Sequence, residues 1–254
     1  MSESQFSFHA DRYCSKLFAS LWVEAWGKQY PVKAAPFSSC TYQLLQQLPQ
    51  QLRLKPGEVL VDLGCGTGGA GLWLAQKHEI QLIGVDRCSD ATAIATKRAF
   101  EWGLRKQASF ITSDFCKTGL ASSSVDAVFS IDAFPATQDI ESALSEVRRI
   151  LKPKGVFVFT AAELLSTSRH FEKMGPDWRT GLERNGFDVI NIQNRSNVSE
   201  LWRSLYSQWL KQESGLRKEL QPETVDALVA EAQRGLPAMT GNRIWNLITA
   251  TTRA

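Results

Sequence analysis

Residues 58–69 read Glu-Val-Leu-Val-Asp-Leu-Gly-Cys-Gly-Thr-Gly-Gly. A short apolar run reaches Asp62, a glycine-rich turn follows at once, and an amphipathic segment extends from Ala70 to His78. This order is typical of a buried parallel strand that enters a helix through a tight loop, with a ligand bound over that loop. The identity of the ligand therefore decides the function.

The rest of the chain alternates apolar strands with amphipathic helices. Such alternation, with strands that are apolar on both faces, indicates an α/β protein whose parallel sheet is covered on both sides. We predict strands at residues 58–63, 81–86, 108–112, 125–131, 156–160, 187–193 and 243–252. The predicted helices include residues 89–103, 175–185, 199–213 and 223–234, together with helical stripes at 41–48 (ending near Pro49) and 140–151.

The N-terminal region is rich in aromatic residues. Phe18, Trp22 and Trp26 are spaced four apart and so lie along one face of a helix, which Gly27 and Pro31 end. Two interpretations stay open at this point. The face packs on the rest of the protein as core, or it forms a lid that closes an apolar ligand pocket.

Composition restricts the class of protein. The 254 residues carry a net charge of +3 with no run of five like charges, which argues against a nucleic-acid-binding arm. The five cysteines show no CxxC spacing, so we expect free thiols and neither a disulfide framework nor a metal site. Residues 1–11 do not resemble a secretory signal, and no apolar run is long enough to span a membrane. We therefore expect a cytoplasmic protein.

Polar side chains stand where the predicted strands end. Asp62 and Asp86 lie at the ends of the first two strands, Asp114 follows the third, and Ser130-Ile131-Asp132 lies at the end of the fourth. In an open α/β sheet, ligands bind at these carboxyl ends. Asp86 lies 22 residues beyond Gly64, the distance at which an acid on the second strand meets a ribose held over the first loop.

Two ligands compete for this arrangement. Gly64, Gly66 and Gly69 fit the dinucleotide pattern GxGxxG, but Asp62 would lie close to a pyrophosphate and repel it. The same carboxylate suits S-adenosylmethionine, which has an ammonium, a sulfonium and a ribose but no phosphate. Asp114 fits the second ligand too, since it can accept from an adenine amine with Phe115 beside the ring.

The sequence resembles the class I S-adenosylmethionine-dependent methyltransferases. The resemblance rests on Val-Asp-Leu-Gly-Cys-Gly-Thr-Gly (61–68), Gly-Val-Asp (84–86), Ser-Asp-Phe (113–115) and Leu-Lys-Pro-Lys-Gly (151–155), and covers about residues 55–160. It is greatest for small-molecule methyltransferases with an N-terminal helical lid. It implies a Rossmann-like sheet of seven strands, mostly parallel, with the last strand antiparallel and a helical insertion before it. The implied division is a lid at 1–50, a cofactor-binding core at 51–198 and a cap with the last strand at 199–254.

The resemblance also implies residue roles. Asp62, Gly64 and Gly66 would face the methionine end of the cofactor, Asp86 the ribose, Arg87 the adenine and Asp114 its amine. The full set of expected cofactor residues is Asp62, Gly64, Cys65, Gly66, Asp86, Arg87, Ser113, Asp114, Phe115 and Ser130. After the fourth strand the chain reads Ser-Ile-Asp-Ala-Phe-Pro (130–135), which departs from the Glu or His of many relatives and leaves the substrate side undetermined.

Acceptor chemistry is the least determined part. The candidates for a catalytic base are Asp132, Glu163 and His170, and the candidates for lining the acceptor pocket are Trp22, Trp26, Tyr30, Phe134 and Trp202. We expect methyl transfer to O, N or C of an apolar small molecule, with no nucleic acid or membrane as partner and a homodimer left open. The alternatives are a non-methylating cyclase or scaffold of the same fold and an NAD(P)-dependent oxidoreductase.

Overall fold

The computed structural model describes residues 7–164, 177–239 and 243–253. Seven strands and ten α-helices are found in these ranges. The strands are β1 (Val59–Leu63), β2 (Gln81–Asp86), β3 (Ala108–Thr112), β4 (Val125–Ser130), β5 (Leu151–Leu164), β6 (Phe187–Asn194) and β7 (Arg243–Thr252). The helices are α1 (Ser7–Cys14), α2 (Lys16–Trp26), α3 (Tyr42–Leu52), α4 (Gly69–His78), α5 (Ser89–Glu101), α6 (Ile140–Ile150), α7 (Trp178–Arg184), α8 (Val198–Lys211), α9 (Glu213–Glu219) and α10 (Pro222–Ala238).

The strands form one sheet in the order β3-β2-β1-β4-β5-β7-β6. β1 to β5 pair in parallel, whereas β7 runs antiparallel to both β5 and β6. This confirms the predicted Rossmann-like sheet and its antiparallel last strand. The strand order reverses between β1 and β4, so the crevice for a ligand opens at the carboxyl ends of those two strands.

Both faces of the sheet are covered, as the apolar strands predict. Successive side chains of a strand point to opposite faces, and Leu60 and Val61 accordingly belong to different hydrophobic clusters. The cluster around Leu60 holds the buried leucines of α3 and α4, together with Ala75 of α4 and Ala99 of α5. The cluster around Val61 holds the buried hydrophobic residues of α6 and α7. The sheet is therefore the middle layer of three.

Several element boundaries differ from the prediction. α3 continues through Pro49 to Leu52, because the proline ring removes only one intrahelical hydrogen bond while Leu44, Leu45, Leu48 and Leu52 are all buried. β5 is longer than predicted, since its pairing with β7 continues to Leu164. The short helices α1 and α9 were not predicted from the sequence. The predicted helix at 175–185 begins at Trp178 among the described residues.

The aromatic face of α2 is packed as core. Phe18, Trp22 and Trp26 are each at most 3% exposed, and α2 packs against α8 and α9. The ring centroids of Trp26 and Trp202 lie 5.0 and 5.5 Å from that of Trp22. Helices α2 and α8, from the predicted lid and the predicted cap, thus share one aromatic cluster, which also contains Tyr30, Tyr206 and Trp209. The division of the chain at residues 50 and 198 remains a prediction.

We predict that Trp22→Ala lowers the free energy of unfolding by about 3–5 kcal/mol, because the indole is 1% exposed and its removal leaves a large cavity. Val23→Ala on the same helix is the matched control. Val23 is 40% exposed, so its truncation should change stability by less than about 0.5 kcal/mol. Urea unfolding measures both, and equal effects of the two substitutions would contradict the packing described above.

Candidate active site

A cavity of about 570 Å³ opens at the carboxyl ends of the parallel strands. It lies at the switch in strand order, between the loops that follow β1 and β4. Eight of the ten expected cofactor residues line it: Asp62, Gly64, Cys65, Gly66, Asp86, Arg87, Asp114 and Phe115. Its volume is in the usual range for small-molecule sites.

The loop after β1 needs glycine for steric reasons. Gly64 has φ +76°, and a Cβ there would lie 2.2 Å from the Cβ of Ala133. The amides of Gly64 and Cys65 both donate to the carbonyl of Val85, at 2.8 and 3.1 Å, which fixes the turn against the end of β2. Burial raises the pKa of the Cys65 thiol, so this residue is a small loop residue and not an activated nucleophile.

Asp86 joins the first two strand ends. Its Oδ2 accepts from the amide of Gly66 at 2.8 Å, and its Oδ1 accepts from the amide of Cys88 at 2.9 Å. An ionised carboxylate offers about four lone-pair sites, so each oxygen can accept one more hydrogen bond. The carboxylate is therefore fixed in position and still able to bind two neighbouring hydroxyl groups.

Asp62 is the most deeply buried acid of the site, with 4% of its surface exposed. Burial and the negative charge of Asp86 raise its pKa well above the ordinary value of 3.8, and a hydrogen bond from the Gly71 amide opposes them. A carboxylate in this environment gains from a nearby positive charge. The ammonium of an amino acid would supply one.

The third expected acid lies at the rim of the cavity. Asp114 is exposed, and its Oδ1 accepts from the Cys116 amide at 2.9 Å. Phe115 lies beside it, with its ring stacked over Phe134 at 6.4 Å and 18°. Phe115 can thus present a ring face to a planar ligand.

Two expected cofactor residues do not line the cavity. Ser113 donates from Oγ to the Lys117 carbonyl at 2.6 Å. Ser130 is fully buried, donates to the Leu63 carbonyl at 2.6 Å and accepts from the Phe134 amide at 3.0 Å. Ser130 therefore fastens the end of β4 to the end of β1.

Asp132 is the base candidate that lines the cavity. Its φ of +60° lies in the left-handed region, which is uncommon for a residue other than glycine. Its Oδ1 accepts from the hydroxyls of Ser39 and Thr160 at 2.7 and 2.8 Å, and its Oδ2 accepts from the Ser39 amide. Arg195 holds Ser39 in turn, donating to its hydroxyl at 2.8 Å and also to its carbonyl.

The other acceptor-side candidates are placed elsewhere. Glu163 accepts from the side-chain amide of Asn246 at 3.1 Å and does not line the cavity. His170 lies outside the described residues. Trp22, Trp26, Tyr30 and Trp202 are packed in the cluster between lid and cap, and Phe134 is fully buried beneath Phe115. Spacing along a helix marks a buried face, but it cannot tell a core from a pocket.

Two N-terminal segments that the sequence did not identify as part of the site also line the cavity. His9 of α1 lines it, as do Pro36, Phe37 and Ser38 of the linker before α3. Arg98 draws this linker onto the glycine loop, because it donates to the carbonyls of Thr67 at 2.9 Å and of Ala34 at 2.8 Å. These contacts join residues far apart in sequence, so no local pattern indicates them.

Acidic side chains outnumber basic ones among the described residues that line the cavity. Burial and Arg12 lower the pKa of His9 to about 4, against an opposing effect of Asp86, so its imidazole is neutral at pH 7. Among the described lining residues, five aspartates stand against one arginine: Asp62, Asp86, Asp114, Asp132, Asp139 and Arg87. The cavity suits a ligand with positive charge.

The sequence of this chain is similar to those of known methyltransferases. Residues 61–159 match the family described as "Methyltransferase domain". The chain is 29% identical over 150 residues to a sterol 24-C-methyltransferase of Gibberella zeae, and the matched region covers 58% of this chain and 39% of that relative. It is 23% identical over 194 residues to phosphoethanolamine N-methyltransferase 3 of Arabidopsis thaliana, and that match covers 76% of this chain and 36% of the relative. The chain spans about two fifths of the length of these curated relatives.

A solved structure shows the same fold. It is a SAM-dependent methyltransferase of Thiobacillus denitrificans in complex with S-adenosylhomocysteine, with a TM-score of 0.67, 19% identity, and coverage of 94% of this chain and 99% of that one. The chain is thus similar in sequence, over residues 61–159, to the methyltransferase family, and similar in fold to a SAM-dependent methyltransferase.

The residues that line the cavity fit S-adenosylmethionine. Asp86 has lone pairs for the two ribose hydroxyls, and buried Asp62 is placed to attract the ammonium. Gly64 and Gly66 lie in the loop that a ligand must approach closely, and a Cβ at Gly66 would meet only His9, at 4.0 Å. Each residue's contact with the cofactor remains a prediction.

We predict that Asp62→Asn changes the pH dependence of stability. Between about pH 4 and the raised pKa of Asp62, the native protein keeps a proton that the unfolded chain releases, so its stability falls as pH rises. The variant lacks this ionisation and should gain stability relative to the wild type as pH rises from about 4 toward the raised pKa of Asp62. Urea unfolding across this range tests it, and a constant difference would contradict the buried, proton-retaining acid.

Proposed function

We propose that this protein transfers the methyl group of S-adenosylmethionine to O, N or C of a small, largely apolar molecule. One observation carries the proposal: aspartates outnumber arginines by five to one among the described residues that line the cavity. S-adenosylmethionine brings an ammonium and a sulfonium to such a site and no phosphate. Unlike charges about 4 Å apart attract by about 4 kcal/mol near a protein surface, so an excess of aspartates favours binding of this cation.

The same balance argues against an NAD(P)-dependent oxidoreductase. A dinucleotide would place its pyrophosphate over the glycine loop, next to Asp62. Phosphates close to a buried carboxylate are repelled when it is ionised, and Arg87 is the one arginine or lysine in the described lining. The relatives reported above are methyltransferases, which favours methyl transfer over a cyclase or scaffold as well.

When bound, the cofactor supplies an electrophilic methyl group on a sulfonium, which an acceptor atom attacks in line with the leaving sulfur. The chain's own residues have to hold the two reactants in that line and exclude water. Gly64 permits close approach at the loop, and the linker of Pro36–Ser38 roofs the cavity. Arg98 fixes that linker to the loop through Thr67 and Ala34.

Asp132 is the side chain best placed to meet the acceptor. It lies two residues after β4, at the switch in strand order, and lines the cavity together with the loop that follows β1. Three donors already occupy its carboxylate, which leaves about one lone pair for an acceptor N–H or O–H. We assign it the orientation of the acceptor and not the removal of a proton. Glu163 and His170 stay as further predictions for a base.

The acceptor side of the cavity favours a small molecule. Phe37, Phe129 and Ile131 give it apolar walls, and the cavity's 570 Å³ must also hold the cofactor. Two relatives are named for a sterol and for phosphoethanolamine, both small molecules. An acid-lined mouth repels the phosphates of a nucleic acid. The described helices contain none long and apolar enough to cross a membrane. The five free thiols fit a reducing compartment, which supports a cytoplasmic location.

We predict transfer of tritium-labelled methyl from S-adenosylmethionine to an apolar small molecule in a panel of phenols, isoprenoids and amines, with none to tRNA or protein. Gly64→Ala should lower this transfer at least about 100-fold, because its Cβ would collide with Ala133 and displace the loop.

Gly103→Ala is the matched control for that experiment. Gly103 also has positive φ, +73°, but a Cβ there meets nothing within 4 Å, so transfer should persist. Cofactor binding with no transfer to any panel member would overturn the proposed function, as would labelling of tRNA alone.

A further inference from the structure

The short helix α1 places one of its side chains inside the cavity. His9 and Tyr13 are four residues apart and therefore lie on the same face of α1. The Tyr13 ring lies over the guanidinium of Arg98, with 5.5 Å from Cζ to the ring centroid. Arg98 itself donates to both the carbonyl and the hydroxyl of Thr67, at 2.9 and 3.1 Å. The Tyr13 contact thus sets α1 against the glycine loop.

A second contact fixes the rotation of this helix. The guanidinium of Arg12 lies 4.4, 5.8 and 5.6 Å from the ring centroids of Phe8, Phe18 and Phe37. The Arg12 side of α1 is therefore directed toward the aromatic cluster between lid and cap. The contacts of Arg12 and Tyr13 fix the rotation of α1. His9 lies one turn before Tyr13 in this helix and is therefore directed toward the glycine loop after β1.

His9 closes one corner of the cavity together with two other residues. Its Cε1 is 4.0 Å from the position that a Cβ on Gly66 would take. The amide of Gly66 donates to Oδ2 of Asp86 at 2.8 Å, and the charge of Asp86 acts on the imidazole of His9. Gly66, Asp86 and His9 are thus three sides of one space, and all three line the cavity.

The chemistry of this corner fits a ribose. Asp86 can only accept hydrogen bonds, whereas a neutral imidazole has one N–H and one lone pair. Burial and Arg12 keep the His9 ring in this neutral form at pH 7. A neutral imidazole can therefore donate its N–H to a ribose hydroxyl while that hydroxyl donates its own proton to Asp86.

Resting on the function proposed above, we infer that His9 is a cofactor-positioning residue that hydrogen-bonds the ribose of S-adenosylmethionine from the lid, opposite Asp86. In this arrangement α1 completes the cofactor site, and the lid recognises the sugar and not the reacting methyl.

Isothermal titration of the full chain with two probes tests this assignment. S-adenosylhomocysteine carries the ribose and the amino acid end, while 5′-methylthioadenosine carries the ribose without that end. His9→Ala should weaken both about tenfold, the size of one neutral hydrogen bond. His9→Gln can still donate and accept, so it should stay within about threefold of the wild type. His78→Ala is the matched control, since His78 does not line the cavity.

The named outcomes separate this inference from the proposed function. Unchanged affinity in His9→Ala, or a loss confined to S-adenosylhomocysteine, would overturn the ribose contact while wild-type binding upholds the cofactor site. A wild type that binds neither probe would overturn both.

Proton NMR of the wild type gives a readout that does not depend on the folding of a variant. The His9 Cε1–H resonance, assigned by its loss in His9→Ala or His9→Gln, should shift when 5′-methylthioadenosine is added, and that of His78 should not. No shift of the His9 resonance in the presence of saturating probe would contradict the inference.

Discussion

The hydrogen bond from the Gly66 amide to Asp86 is the contact on which the site depends. At 2.8 Å it joins the loop that follows β1 to the end of β2, and the Cys88 amide holds the second oxygen of the same carboxylate. A carboxylate fixed by two backbone donors needs no rearrangement before it binds a ligand, which favours affinity. The positive φ of Gly64 and the missing Cβ bring the loop close enough to Ala133 for the cavity to form.

A second set of contacts ties the lid to this loop. Arg98 holds Thr67 and Ala34, and a Cβ at Gly69 would lie 1.8 Å from the Ala34 carbonyl oxygen. On the other side of the cavity, Arg195 and Ser39 hold Asp132. Two arginines from distant parts of the chain therefore hold the same linker, Arg98 next to the loop after β1 and Arg195 next to Asp132.

Much of the fold, and several residues that line the cavity, could be predicted from the sequence. Apolar strands that end in acids identify a parallel sheet with a ligand at its carboxyl edge, and strand spacing alone puts Asp62, Asp86 and Asp114 at that edge. The acceptor side could not be predicted in this way. Trp22 and Trp26 have the spacing of a buried face, and the same spacing serves a core as well as a pocket. His9 and Arg195 reach the site through contacts across the tertiary structure, which no local pattern encodes.

The claim at the centre of this account is that the acids at the strand ends select S-adenosylmethionine over a dinucleotide. Isothermal titration of the wild type, Asp86→Asn and Asp90→Asn with S-adenosylhomocysteine and with NAD⁺ tests it most directly. Asp90 is exposed on α5 and does not line the cavity, so its variant has the same change of charge without a change of the site.

We expect the wild type and Asp90→Asn to bind S-adenosylhomocysteine alike and to show no binding of NAD⁺. Asp86→Asn should bind S-adenosylhomocysteine at least about tenfold more weakly, because it loses the carboxylate that accepts from Gly66 and from the ribose. Binding of NAD⁺ by the wild type, or equal affinity for S-adenosylhomocysteine in all three proteins, would contradict the account.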